Sequence, residues 1–177
     1  ARLEQELKQQ GKSLNQLEAN AKHLTQLIES LSDILADIPA QRPQPLEFAK
    51  LRGKLAWPVK GEVVNLYGKT KLPSNLRWQG NIVRAPLGNN VRAVSHGRVA
   101  FAEWLRGMGN LIIIDHGYGF TTRYGHLASF KVREGQRIKR GDVIGYVGST
   151  GMSSAPHLHY EVRVFGKPRN PLNYMID

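Results

Sequence analysis

The first 38 residues carry an apolar stripe with the spacing of a coiled coil. Apolar positions recur in alternating steps of four and three from Leu3 to Ile38, and only the polar Gln10 interrupts the series. This heptad spacing predicts a coiled-coil helix over residues 1–38, about 55 Å long at 1.5 Å per residue. The stripe needs a partner: an upstream helix, another chain or the domain that follows. The predicted length argues against an ordinary amphipathic helix that packs only on its own domain.

Residues 39–53 form a separate segment rich in proline. Pro39 ends the helix, and "PAQRPQP" at 39–45 is typical of a stiff linker. Pro45 and Gly53 then flank a predicted short helix over 45–53. We expect this helix, or the coil beside it, to cover part of any binding groove in the domain that follows.

From residue 54 onward the pattern changes to short runs of β-branched and aromatic residues between Gly, Asn, Asp and Pro. This sequence pattern predicts a mainly β domain over 54–177. In "APHLHYEVR" at 155–163, alternation places His157, His159 and Glu161 on one face of a strand. A strand presents metal ligands in this way, and it also places ordinary histidines on a solvated face in this way.

The composition narrows the chemistry. The chain has no cysteine, which excludes thiolate zinc sites, disulfides and cysteine nucleophiles. Its longest aliphatic run, "LIII" at 111–114, is too short to cross a bilayer. Residues 1–38 carry four basic and six acidic residues, which leaves 21 basic and 8 acidic residues in 39–177. This net charge of +13 indicates attraction to an anionic partner, such as a nucleic acid, a membrane surface, a polymer or an acidic protein.

Four motifs between Ala85 and Arg163 resemble the LytM or lysostaphin-type peptidoglycan metallopeptidase domain: "DHGYG", "TRYGHL", "VGSTG" and "HLHYE". The resemblance implies a mainly β, barrel-sandwich-hybrid-like sheet domain. In that family a His-x-x-x-Asp motif and the second histidine of His-x-His hold zinc, and two further histidines assist the zinc-bound water. Carried over, His159 is the remaining ligand, and His157 and His126 are the assisting pair.

This sequence departs from the family at the His-x-x-x-Asp motif. Aligned through Gly80 and Ala85-Pro86, the two ligand positions read Trp78 and Ile82. A catalytic zinc needs three protein ligands, and ligands two residues apart on one strand give poor tetrahedral geometry. We therefore predict a catalytically inactive domain that takes no metal and no cofactor.

A coiled coil followed by a LytM-like domain without its zinc ligands resembles the EnvC-type murein hydrolase activators. The resemblance implies a periplasmic protein of the cell-division machinery that activates a peptidoglycan N-acetylmuramoyl-L-alanine amidase. The former substrate groove becomes the expected amidase-binding site, since its aromatic and arginine content is typical of protein hot spots. The predicted groove residues are Arg77, Trp78, Ile82, Arg84, Tyr124, His126, His157, His159 and Tyr160.

Two other functions stay open at this point. One is an active zinc endopeptidase that cuts peptidoglycan cross-links with substituted ligands. The other is a peptidoglycan-binding module whose basic surface meets the anionic wall polymer, without any effect on an amidase. The predicted partners are an amidase, peptidoglycan, a coiled-coil partner or upstream helix, and a membrane division complex; nucleic acid is not among them.

Overall fold

The structure, a computed structural model, describes residues 2–36 and 48–176, with the backbone alone at residues 30–36. Helix α1 spans Arg2–Ala36 and confirms the predicted N-terminal helix. Short 3₁₀ helices at Phe48–Leu51 and Pro171–Asn173 flank the strands. The strands are β1 (Glu62–Val64), β2 (Asn81–Arg84), β3 (Asn90–Arg92), β4 (Gly97–Leu105), β5 (Gly109–Gly117), β6 (Phe120–Phe130), β7 (Arg137–Ile138), β8 (Val143–Val147), β9 (His157–Val164) and β10 (Lys167–Arg169).

The ten strands form one antiparallel sheet. Its main path runs β1-β2-β9-β6-β5-β4-β7, while β10 extends from β9, and β8 joins β3 to β6. Strands β5 and β6, and strands β9 and β10, are joined by turns of two residues. The predicted mainly β architecture with one N-terminal helix is confirmed. The expected domain boundaries stay a prediction.

The main core lies on one face of the sheet, and every second residue of the strands places an apolar side chain on that face. In β9 these are Leu158, Tyr160 and Val162, all fully buried. The imidazole of His116 is also buried, where its Nδ1 and Nε2 lie 2.7 Å from the His96 carbonyl and 2.8 Å from Thr122 Oγ1. Both ring nitrogens of this buried imidazole are thus hydrogen-bonded, as burial requires.

The first 3₁₀ helix closes one end of this core. Phe48 is 2% exposed and stacks on His116 with ring centroids 4.7 Å apart, and it also contacts Phe120 and Tyr174. The predicted short helix is therefore a core element in its described part, and the expectation that it covers a groove is wrong there. Apolar Phe48 and Leu51 gain more from burial in the core than from an exposed lid. The linker and the predicted helix start, residues 37–47, lie outside the described residues.

Helix α1 packs on the opposite face of the sheet. Leu24 and Ile28 are buried against Phe101, Leu111 and Ile113. One turn earlier, the Asn20 side chain donates to the carbonyl of Arg106 at 3.2 Å. The domain that follows, one of the three partners that the sequence leaves open, thus covers part of the heptad stripe. Phe101 of β4 and Leu111 and Ile113 of β5 are apolar on this face, which gives the sheet a second surface to bury.

The first turns of α1 behave differently. Leu3 and Leu7 belong to the same stripe, yet they are 71% and 61% exposed. The stripe is therefore buried at Leu24 and Ile28 and open to solvent near its start. The side chains of Leu31, Leu35 and Ile38 lie outside the described residues. Over the described parts of the chain, no helix combines the length and apolar character needed to cross a membrane.

Candidate functional site

A cleft of about 600 Å³ opens at the end of the sheet where β9 begins. Antiparallel pairing sets its floor, because Ile82 pairs with His159, and Arg84 pairs with His157. Paired residues on neighbouring strands project to the same side. Trp78 stands just before β2, half-buried, with its ring 6.2 Å from that of His159. The two predicted departures from the family pattern thus stand next to His159.

A bulge in β6 brings His126 into the same cleft. Between the paired positions Asn110 with Leu127 and Ile112 with Tyr124, two residues of β6, Gly125 and His126, oppose one of β5. His126 takes a φ of 61°, which is left-handed and uncommon for a residue with a side chain. The extra residue turns the imidazole toward the cleft, where its centroid lies 4.9 Å from that of His157 and 6.2 Å from that of His159.

Each cleft histidine has one ring nitrogen engaged by an acceptor. His126 Nδ1 lies 2.7 Å from the Thr150 carbonyl, and His157 Nδ1 lies 2.8 Å from the Ala155 carbonyl. His159 Nε2 lies 2.8 Å from Glu161 Oε1. Because carbonyl oxygens only accept, Nδ1 of His126 and of His157 carries the proton, and each of these rings, when neutral, keeps its lone pair on Nε2.

Burial keeps two of these rings neutral at ordinary pH. It lowers the pKa of His126 to about 4, against the opposing hydrogen bond to Thr150, and it also lowers the pKa of His157. Neighbouring imidazoles lower both pKa values further, since two charged rings would repel each other. At pH 7 His126 and His157 therefore present hydrogen-bond acceptors and apolar ring faces.

Beneath His159 lies a buried ionic cluster. Glu161 Oε2 lies 2.8 Å from Arg163 Nε and 3.4 Å from Arg123 Nη1, and all three residues are less than 5% exposed. Burial alone raises the pKa of Glu161, but the two guanidinium groups and the His159 hydrogen bond hold it well below its usual range. The ionised carboxylate thereby fixes the orientation of His159.

Sequence reasoning missed several cleft residues. Lys71 Nζ lies 4.6 Å from the centroid of the Trp78 ring, a cation–π contact, and partial burial lowers the pKa of Lys71. Met108 and Met152 line the same cleft. The glycine-flanked "RGMGN" turn and the "STGMSS" loop contain these methionines. Without the three-dimensional pairing, however, nothing in either stretch points to a shared cleft.

Three of the predicted groove residues lie elsewhere. Tyr124 and Tyr160 are fully buried, and their rings contact each other in the core at 5.6 Å. The prediction that they line the groove is wrong, because alternate residues of a strand face opposite sides and these two take the core side. Arg77 is exposed and donates from Nη1 to the Gly68 carbonyl at 2.9 Å, away from the cleft. Trp78, Ile82, Arg84, His126, His157 and His159 all line it.

The donors of this cleft do not fit a catalytic zinc of the kind that the resemblance implies. Such a site needs three donor side chains. Next to His159 stand an indole and an aliphatic side chain, and neither offers a lone pair to a metal. Among the side chains of residues 2–29 and 48–176, no three His, Asp or Glu come together as a metal site.

The antiparallel sheet and the histidine cleft define a class of protein. Residues 77–171 match the model of peptidase family M23, so the chain belongs to that family. The predicted LytM-type resemblance is confirmed. Membership describes ancestry and fold, and it leaves open whether a given member retains peptidase chemistry.

Relatives within the family carry both activator and peptidase names. The chain is 38% identical over 120 residues to the murein hydrolase activator EnvC of Escherichia coli. The matched region is 68% of this chain and 28% of that protein. It is 47% identical over 89 residues to the DD-carboxypeptidase/endopeptidase Mpg of Neisseria meningitidis. That matched region is 50% of this chain and 20% of the relative. The chain therefore spans less than a third of the length of these curated relatives.

A solved structure shares the fold. A zinc-containing peptidase from Vibrio cholerae superposes with a TM-score of 0.64 and 30% identity, over 68% of this chain and 40% of that chain. The fold is thus shared with a protein described as a zinc-containing peptidase.

Proposed function

We propose that this protein is a catalytically inactive M23 domain that binds and activates a peptidoglycan N-acetylmuramoyl-L-alanine amidase during cell division. The observation that carries the proposal is the pair Trp78 and Ile82 next to His159. The EnvC relative, named a murein hydrolase activator, supports the same role. A periplasmic location follows from the same proposal, because the amidase substrate is the cell wall.

The cleft has the physical character of a protein-binding site. Trp78 offers a half-buried indole, Met108 and Met152 offer adaptable apolar surface, and Lys71 and Arg84 offer positive charge at the rim. At neutral pH the imidazoles of His126 and His157 add no charge to the floor. An amidase segment with an apolar anchor and a nearby carboxylate matches this surface.

The test is stimulation of a purified amidase on dye-labelled peptidoglycan sacculi. We expect the wild-type protein to release no dye alone and to accelerate release by the amidase. Trp78→Ala removes the central anchor and should weaken the apparent affinity for the amidase by about 2 kcal/mol, roughly thirtyfold. Trp104→Ala is the matched control, since Trp104 is 59% exposed on β4. Thermal melting of both variants checks that they fold.

Two results would contradict the proposal. Cleavage of peptide cross-links by the protein alone, abolished by EDTA and accompanied by about one bound zinc, would establish an endopeptidase, which the Mpg relative makes the second candidate. Salt-sensitive binding to sacculi without any stimulation would establish a wall-binding module, which the net charge of +13 in residues 39–177 makes the third.

A further inference from the structure

Two neighbouring hairpin turns expose aromatic side chains at the end of the sheet opposite the cleft. Tyr118-Gly119 joins β5 to β6, and Phe165-Gly166 joins β9 to β10. The N–H of Phe165 donates to the Gly119 carbonyl at 2.8 Å, so the two turns form one unit. We call this unit the aromatic tip.

Both turns adopt a backbone that aromatic residues disfavour. The φ angles are 52° and 81° for Tyr118 and Gly119, and 49° and 75° for Phe165 and Gly166. This is the pattern of a type I′ turn, in which asparagine, aspartate or glycine is favoured at the first central position. A bulky side chain in the left-handed region is strained, and the same unfavourable choice occurs twice.

Burial does not compensate for this strain. Tyr118 is 63% exposed and Phe165 is 75% exposed. The Phe165 ring lies against Gly119, where an added Cβ would stand 2.5 Å from the nearest ring atom, so part of the ring contacts the neighbouring turn while most of the residue is exposed. The folded chain alone gives no reason for two exposed rings at these positions.

Cations flank the aromatic tip on both sides. Lys167 and Arg169 lie exposed on β10, with Lys167 paired to Val164 next to the Phe165 turn. On the other side, Arg98 of β4 lies between Asp115 of β5 and Arg137 of β7 in the strand pairing. Asp115 accepts a hydrogen bond from the Gly117 N–H within its own turn, at 2.8 Å.

The cations stand at the two sides of the aromatic tip, with the two rings and Asp115 between them. From β10 to β7 the tip spans five strand spacings, about 24 Å at 4.8 Å each. An arrangement of this width suits an extended anionic surface better than a single extended chain in a groove. Aromatic rings flanked by lysine and arginine are the side chains found where proteins meet the lipid headgroup region.

We infer that the aromatic tip is a membrane-contact site, which places Tyr118 and Phe165 in the headgroup region of an anionic bilayer while the flanking cations contact lipid phosphates. The site goes beyond the proposed amidase activation and does not overlap the cleft. Phe165 follows His159 by six residues along β9, about 20 Å at 3.3 Å per residue. The protein can therefore contact a membrane at one end and a partner at the other.

The experiment is cosedimentation of the full chain with vesicles of phosphatidylglycerol and phosphatidylethanolamine, compared with vesicles of phosphatidylcholine. We expect binding to the anionic vesicles alone. The double variant Tyr118→Asn with Phe165→Asn should bind roughly tenfold more weakly, because two rings no longer enter the apolar boundary. Trp104→Asn is the matched control, since it removes an exposed ring at the other end of β4 and should leave binding unchanged.

A second variant separates charge from insertion. Lys167→Gln with Arg169→Gln should weaken binding roughly fivefold or more, because each cation near an anionic surface contributes to attraction. The asparagine variant also tests the strain argument, because Asn-Gly suits these turns and its melting temperature should equal or exceed that of the wild type. A lower melting temperature would contradict that argument.

Three results would overturn the inference. The first is vesicle binding by the asparagine double variant that equals that of the wild type. The second is wild-type binding to phosphatidylcholine vesicles as strong as binding to the anionic vesicles. The third is no vesicle binding by the wild type, together with weaker binding of the double variant than of the wild type to isolated sacculi. The last result would assign the aromatic tip to glycan instead. Failure of amidase stimulation would leave the vesicle results unaffected, so this inference and the proposed function are tested separately.

Discussion

Glu161 links the cleft to the buried side of the sheet. One of its oxygens accepts from His159, and the other contacts Arg163 and Arg123. Nε and Nη2 of Arg123 have no hydrogen-bond partner among the described residues, and burial lowers the Arg123 pKa to about 9. One carboxylate thus compensates two buried guanidinium groups, which makes its charge more important than that of a surface residue.

At this scale we predict that Glu161→Gln destabilises the fold by about 3–5 kcal/mol, because both guanidinium groups lose their buried counter-charge. Urea unfolding at pH 7 measures the change. Glu62→Gln is the control, since Glu62 contacts Arg84 at 3.5 Å with both side chains more than 60% exposed, and such a pair contributes about 0–1 kcal/mol. Equal losses in the free energy of unfolding for the two variants would show that the buried ion pairs of Glu161 contribute no more to stability than an exposed ion pair.

Among the elements, helix α1 has two distinct halves. Its middle packs on β4 and β5 through Leu24 and Ile28, and its first turns leave Leu3 and Leu7 exposed. The side chain of Leu17 also lies close to Gly107, in the turn that forms one wall of the cleft. The helix thereby supports the wall from outside, and its packing should contribute to stability only over the buried part.

We predict that Leu24→Ala lowers the free energy of unfolding by about 2–4 kcal/mol, because it leaves a cavity between α1 and the sheet. Leu7→Ala lies in the same apolar stripe but should cost less than about 0.5 kcal/mol in a monomer. Denaturant titration at low protein concentration compares the two. A cost for Leu7→Ala as large as that for Leu24→Ala would indicate that a further partner covers the first turns.

The sequence predicted which elements exist better than what each one contacts. The spacing of apolar and polar positions alone identified α1 and the strand at His157, and family motifs identified the cleft histidines. The heptad could not show that Leu24 and Ile28 meet the sheet, because the apolar outer face of β4 and β5 depends on strand order. Tyr124 and Tyr160 were misplaced because aromatic residues suit a groove and a core equally, and only the alternation within each strand separates the two.

For the whole molecule, acid sensitivity follows from two buried imidazoles. Burial lowers the pKa of His116 to about 4 and that of His126 to about 4, against an ordinary value near 6.5. Both groups bind protons more weakly in the folded chain than in the unfolded chain. Their stabilising effect is therefore complete above about pH 6.5 and is lost as the pH falls toward 4.

We predict that the wild-type free energy of unfolding falls between pH 6.5 and pH 4, with His116 contributing about 3 kcal/mol of that decrease. His116→Gln should be less stable at pH 7, since it loses the packing on Phe48, but its stability should vary less with pH. His23→Gln, exposed on α1, is the control and should follow the wild-type profile. A His116→Gln profile parallel to the wild type would place the acid sensitivity elsewhere.

The pairing of Ile82 with His159 has an evolutionary consequence. The two residues are joined through the backbone ladder of β2 and β9, whose hydrogen bonds are the same whichever side chains stand there. Exchanging a ligand for an aliphatic residue at such a position alters the chemistry of the cleft while the scaffold persists. A gene duplicate could thus exchange hydrolysis for recruitment through a few codon changes, without passing through an unfolded ancestor.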